Sequence, residues 1–287
     1  MARLAVITDG ISREFERALE VMRAHGLRYA ELQYVWDREV GDLDDGRLGQ
    51  VQDLVRQYGM DVCCLSRHNF AGMAVGQTEI GDTAHARHMD ALRRCIAEAK
   101  ALDCGLVRIM SFRKEMILFG SGGAEDWNVA TGAWDALKRL LVPALELAES
   151  ESVTLVVETG NNAMITSGHL ARRLVEEMGS ARLQVLWDPG NSLYCAEPAY
   201  PDGYDAVRGC LAHVHVKDLH VDIPKATVRQ VRFGEGQMSA YFDAISAGLA
   251  RDGYTGVVSF ESVYRPSGGT FEDGFRASFP AFRETFG

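Results

Sequence analysis

Short apolar runs alternate with segments of helical spacing along the whole chain. Leu4 to Thr8 is brief and apolar, as a buried strand would be. Arg13 to His25 then carries Phe15, Leu19 and Met22 on one face and stops before Gly26, the spacing and stop signal of a helix. Tyr29 to Gln33 predicts strand two, and Leu48 to Tyr58 its helix, closed by Gly59. Asp61 to Leu65 predicts strand three, followed by a loop holding Arg67, His68 and Asn69 and a long helix from about Thr83 to Leu102. Leu106 to Met110 is strand four. The polar, glycine-rich stretch SFRKEMILFGSGGAEDWN (111–128) predicts a lid or rim over the mouth of the fold, since long connections in compact domains are usually functional. A helix from Ala133 to Ser150 leads to strand five, Thr154 to Glu158, and His169 to Met178 is helical again. Strands six, seven and eight are Leu183 to Asp188, Ala212 to Val216 and Gly256 to Glu261, with a helix from Tyr241 to Arg251 before the last. The tail from Arg265 to Gly287, aromatic anchors in a polar background, predicts a final helix across the fold or a subunit contact.

Eight strand–helix units with no linker or low-complexity break predict one domain over residues 1–287, an α/β fold of the (β/α)8 barrel type. The competing architecture, a doubly wound sheet, lacks its G-x-G-x-x-G fingerprint after the first strand. Hydrophobic residues at 47% and charged residues at 24% permit a substantial core. The net charge of −10, from 30 Lys and Arg against 40 Asp and Glu, disfavours nucleic acid as a partner because a phosphate backbone would be repelled. The six cysteines form no C-x-x-C pair, and several lie in apolar surroundings, which points to free thiols in a reducing compartment. The first residues turn polar too soon for a secretory signal, and nothing approaches the ~18 consecutive apolar residues of a membrane span. A cytoplasmic location and no membrane partner are the expectation.

Chemistry concentrates at predicted strand ends. Glu158, Asp188 and Glu261 close strands five, six and eight, and strand seven carries His213 and His215 on one face. Strand C-termini converge on one face of a parallel barrel. Three carboxylates and an imidazole suit Mn²⁺ or Mg²⁺ better than a thiolate-loving metal, with Co²⁺ and Zn²⁺ also admissible. Such an ion would fix adjacent oxygens of a polyol or keto sugar and stabilise an enediolate as a Lewis acid. Two glutamates on opposite sides of the substrate could then exchange a carbon-bound proton, one as base and one as acid.

The segments VVETGNN, WDPGNSLYCAEPAYPDGY, HVHVKDLH, GEG and SFES resemble the xylose-isomerase-like TIM-barrel superfamily, the sugar phosphate isomerases and epimerases, over nearly the whole chain. The resemblance implies a strand-end divalent site and proton transfer on sugars or polyols. In its ketose 3-epimerase branch the first and last glutamates bind metal and also perform the acid–base work, which here implies Glu158 and Glu261, with Asp188 and His215 completing the shell. His215 is preferred to His213 because that branch uses the second histidine of its H-x-H segment. The chain also departs from the branch. Met164 stands where a second glutamate is expected, Val221 where an arginine is expected, and Asn191 where histidine is frequent. These changes touch substrate-binding groups and leave the metal shell intact.

Further substrate-binding candidates are Asn161, Asn191, Lys217, His68 and Arg108. Lys217 suits a phosphate, a carboxylate or a developing oxyanion, or else a plain ion pair. Trp187 and Phe112 are candidates for stacking on a sugar face, and Glu31 for a structural pair with a basic neighbour. The leading expectation is a metal-dependent sugar isomerase or epimerase. The alternative is a dehydratase or lyase that starts from the same proton abstraction on a keto-sugar, inosose or related polyol. A phosphodiesterase like endonuclease IV would need a histidine-rich multi-zinc cluster and a basic face, which the charge argues against. Relatives of this kind are often homodimers or homotetramers, so self-association is also expected.

Overall fold

The computed structural model describes residues 2–114, 132–225 and 227–287. Eight parallel strands close into one barrel: β1 (Arg3–Ile7), β2 (Tyr29–Leu32), β3 (Asp61–Asn69), β4 (Leu106–Ile109), β5 (Thr154–Glu158), β6 (Leu183–Trp187), β7 (Leu211–Val216) and β8 (Val257–Phe260). Each pairs with its sequence neighbours, and β8 returns to β1, giving the (β/α)8 barrel expected. The longer helices among the described residues are α1 (Phe15–Ala24), α2 (Asp45–Tyr58), α3 (Thr83–Ala101), α4 (Ala133–Glu151), α5 (Gly168–Met178), α6 (Phe242–Arg251) and α7 (Phe271–Phe286). No described helix is long and apolar enough to cross a membrane. Most of the proposed lid, residues 111–128, lies outside the described residues.

The helices form because each presents one apolar stripe to the strands. In α1 that stripe is Phe15, Ala18, Leu19, Val21 and Met22, all buried. Burial of each large side chain contributes about 1.5–3 kcal/mol. Asp44 caps α2 by accepting from Arg47 N at 2.9 Å, which starts the helix at Asp45, three residues before the apolar pattern does. The tail forms α7 behind a capping box of Thr270 and Asp273. Its Phe275, Phe279, Phe282 and Phe286 are buried, and Phe282 stacks on Phe260 of β8 with centroids 5.1 Å apart. The final helix thus seals the barrel beside β8.

Strand three runs four residues further than the apolar run predicts, so Arg67, His68 and Asn69 belong to β3 and not to a loop. The polar residues remain extended because the barrel supplies partners: Asn69 Nδ2 donates to Arg108 O at 3.0 Å, and Met110 N donates to Asn69 O. Two short hairpins, Tyr34–Val35 with Arg38–Glu39 and Leu219–Asp222 with Thr227–Gln230, were not signalled by the apolar pattern. Trp187 and Phe112 are packing residues and not sugar platforms. Both are fully buried, Trp187 against Tyr204 and Phe112 stacked 5.0 Å from Phe70.

Candidate metal centre

Glu158 ends β5, Asp188 and Glu261 stand one residue past β6 and β8, and His215 lies on β7. One ligand atom from each of these four lies within 4.8 Å of the others. Local chemistry sets each one. Asp188 accepts from Gly190 N at 2.9 Å, capping a short turn whose Pro189 is preorganised at the first helical position. Gly190 leaves little room for a side chain: a Cβ there would sit 3.0 Å from Lys217 Cγ and 3.1 Å from Asp188 Oδ1, so these neighbours would have to shift. Asn191 Nδ2 donates to Asp188 Oδ2 and to Thr159 O, both at 2.8 Å. Its amide is therefore committed to holding the carboxylate.

His215 is oriented from behind. Its Nε2 is 2.7 Å from Glu31 Oε1, while Nδ1 has no hydrogen-bond partner and faces Glu158 Oε1 at 3.4 Å. A carboxylate on one imidazole nitrogen with the other left open is the usual setting of a metal-bound histidine. Without an ion, burial works against the imidazolium, but Glu31 and Glu158 outweigh it and push His215 up to about 10. Glu31 pairs with basic groups, as the sequence suggested, and these are the two histidines of β7. It is fully buried, accepts from Ser66 Oγ, and lies 2.8 Å from His213 Nε2 as well. Burial opposes its charge, yet the two histidines hold its carboxyl well below the usual range.

Two cations thread the carboxylates. Lys217 Nζ lies 2.6 Å from Asp188 Oδ2 and 2.8 Å from Glu261 Oε2. Burial alone would discharge it, but those two carboxylates hold its ammonium above the ordinary lysine value. Burial likewise pushes the Asp188 carboxyl up. With Lys217, Gly190 and Asn191 all donating to it, we take the ionised carboxylate as the form the site holds. Arg108 Nη1 is 3.0 Å from Glu158 Oε2, and Nη2 donates to Ser66 O. Burial raises the Glu158 carboxyl, but Arg108 and His215 outweigh it and hold it below the usual carboxylate range. Glu31, Glu158, Asp188 and Glu261 outnumber the cations Arg108 and Lys217 that face them, so an ion that takes His215 as a neutral ligand would meet an excess of negative charge. Donor set, orphaned Nδ1 and the sign of the charge all fit such an ion.

The remaining candidates scatter. Asn161 is exposed just past β5. His68, on β3, is held by Glu39, its Nδ1 2.8 Å from Oε1. Sequence reasoning missed Ser66 and the role of Asp218. The Asp218 carboxylate accepts from the backbone N–H groups of Leu219, Gly234, Gly236 and Met238. A Cβ at Gly236 would overlap Asp218 Oδ1, which explains the G-E-G segment as a backbone cradle for this carboxylate.

Arg108→Met is expected to destabilise the fold by about 3–5 kcal/mol, because it leaves the Glu158 carboxylate buried without its partner. Denaturant unfolding would show this as a lower midpoint at unchanged slope, and adding Glu158→Gln should recover part of the loss. A cost below about 1 kcal/mol, as for an exposed pair, would mean the pair is solvated.

The chain is thus a (β/α)8 barrel with carboxylates and a histidine gathered at its strand ends. The xylose isomerase-like TIM barrel family matches residues 19–284, and the chain belongs to that family. No curated protein matches it in sequence. Among solved structures it is similar to L-ribulose 3-epimerase, at 19% identity and TM-score 0.71 over 100% of this chain and 95% of that one. It is similar to 3-keto-D-glucoside 4-epimerase YcjR from E. coli, at 17% identity and TM-score 0.69 over 99% and 98%. It is also similar to the IolI protein with a bound zinc atom, at 16% identity and TM-score 0.72 over 99% and 98%. At these identities the likeness is one of fold.

Proposed function

We propose that the protein is a divalent-metal-dependent isomerase or epimerase of a sugar or keto-polyol. The observation that carries this reading is the set Glu158, Asp188, His215 and Glu261 within 4.8 Å, with the open His215 Nδ1 facing into it. Those four residues would hold the ion, Mn²⁺ by preference, and it would supply Lewis-acid polarisation of adjacent substrate oxygens. The protein's own side chains do the rest. Glu158, at the end of β5, and Glu261, one residue past β8, would take and return a proton at the substrate carbon. Lys217 would orient a substrate oxygen, with Asn161, His68 and Arg108 bounding the pocket and Asn191 fixing Asp188. The names of the three similar structures, two sugar epimerases and a zinc-bound protein, support the reading. Met164 is fully buried and Val221 lies on a hairpin, so the polar groups expected there in a free-ketose epimerase are replaced. That favours a substrate outside the simple ketoses.

The test is metal analysis of the purified protein beside Asp188→Asn and His215→Ala, followed by incubation of keto sugars and keto-polyols in D₂O. About one ion per chain, lost in both variants, together with deuterium gain at constant skeleton, is the expected result. Loss of water from the substrate would move the assignment to a dehydratase. Folded protein that binds no ion after incubation with Mn²⁺ would end the metal mechanism.

A further inference from the structure

A second cluster of metal-ligand type lies deeper in the barrel, beneath the mouth. Glu31, Cys63 and His213 each offer one ligand atom within 4.8 Å of the others. Two irregularities in the sheet bring them together. Between β2 and β3 the register passes from Ala30↔Val62 to Glu31↔Cys64, leaving Cys63 as an extra residue. Between β6 and β7 it passes from Val185↔Leu211 to Leu186↔His213, leaving Ala212 extra just before His213. Bulges re-aim side chains that regular pleating would turn away. Without the first, Cys63 would point opposite to Cys64, which packs in the barrel interior with Val156 and Leu186.

The cluster has unmet bonding capacity. His213 is fully buried, and its Nδ1 has no hydrogen-bond partner, a costly state for a polar atom away from water. Its other nitrogen lies 2.8 Å from Glu31 Oε2, a separation two ligands of one ion can share. Among the described residues, the hydrogen-bond partner of Cys63 Sγ is the Ala30 carbonyl, at 3.3 Å. Cys63 also lines a cleft of about 670 Å³ at the floor of the barrel, with Tyr29, Asp61, Leu106, Ala212 and Val257. Glu31 and His213 are fully buried and do not line this cleft, so an ion entering from the face opposite the mouth would reach the site past Cys63.

We propose that Glu31, Cys63 and His213 form a second metal site, selective for a zinc-class ion, with a fourth position open to the floor cleft. Sulfur, nitrogen and oxygen donors together suit Zn²⁺, whereas the mouth, with no sulfur, suits harder ions. Binding would release the Cys63 thiol proton to solvent as the metal–sulfur bond forms, and the His213 ring proton would sit on Nδ1, leaving Nε2 free to ligate. Burial pushes that thiol well above its ordinary value, so Cys63 is not a free nucleophile and needs a metal to become a thiolate. Glu31 is common to both sites, as a ligand here and as the partner of His215 above.

Sulfur makes the two sites separable by spectroscopy. The full chain, reduced and stripped of metal, would be titrated with Co²⁺ and read for thiolate-to-cobalt charge transfer in the near ultraviolet. The expected result is such a band at one equivalent, displaced by Zn²⁺, absent in Cys63→Ala and Cys63→Ser, and retained in Asp188→Asn, which disables only the mouth. Agreement of the two Cys63 variants, each with wild-type circular dichroism, guards against misfolding. No band in the wild type, or a band that survives both Cys63 variants, would overturn the site. Neither result touches the mouth, whose ion has no sulfur ligand and is counted separately.

Discussion

Glu261→Gln is expected to lower kcat/KM for carbon-bound proton exchange by about 10²–10⁴, the usual contribution of a positioned acid or base. The fold should survive, because Glu261 stands one residue past β8 and its side chain is 24% exposed. The substitution keeps shape and removes only charge and basicity. Glu158→Gln should cost as much in rate but more in stability, because it strips the partner from buried Arg108. The measurement is deuterium incorporation from D₂O into the turned-over substrate, with single turnovers separating chemistry from product release. If both variants exchange within about threefold of wild type, the glutamates do not carry the proton and only a binding role remains for them.

The sequence made the barrel legible because its period is simple. Seven strands lie within a residue or so of the apolar runs that predict them, the scatter expected at element ends. Strand three is the exception, and its cause is physical. Ser66, Arg67, His68 and Asn69 are polar, and a polar strand end inside a barrel is recognisable only through its partners: Glu31, Glu39 and Arg108. The candidate metal residues were legible for a related reason. Strand C-termini must meet on one face, so four ligand-type residues at strand ends stand out without any knowledge of distance. What surrounds them was not legible. The Glu31 contacts to His213 and His215 span 182 and 184 residues, and no local pattern couples residues so far apart. The bulges that place Cys63 and His213 are register shifts between strands, a property of pairs of strands that no single segment carries.

The carboxylates at the mouth already have a cation, and that sets the last expectation. Lys217 is 8% exposed and bridges Asp188 and Glu261, so its ammonium and a divalent ion would draw on the same two carboxylates. Lys217→Met removes the tethered charge and preserves most of the buried stem. In chelator, Asp188 would be left buried with only Gly190 and Asn191 donating to it. The expected cost is about 3–5 kcal/mol, or a Tm lower by roughly 5–10 °C for a domain of this size. With Mn²⁺ the order should reverse in the increment: the variant should gain more Tm than the wild type, because the ion no longer competes with an ammonium and binding to the folded state stabilises by mass action. Calorimetric titration should likewise give a tighter Kd for the variant. Turnover should fall even with metal bound, because the group proposed to orient the substrate oxygen is gone. An equal Tm deficit with and without Mn²⁺ would show that Lys217 and the ion do not share their ligands. Lys217 would then be a structural counter-ion of Asp188, and its place in the proposed mechanism would be lost.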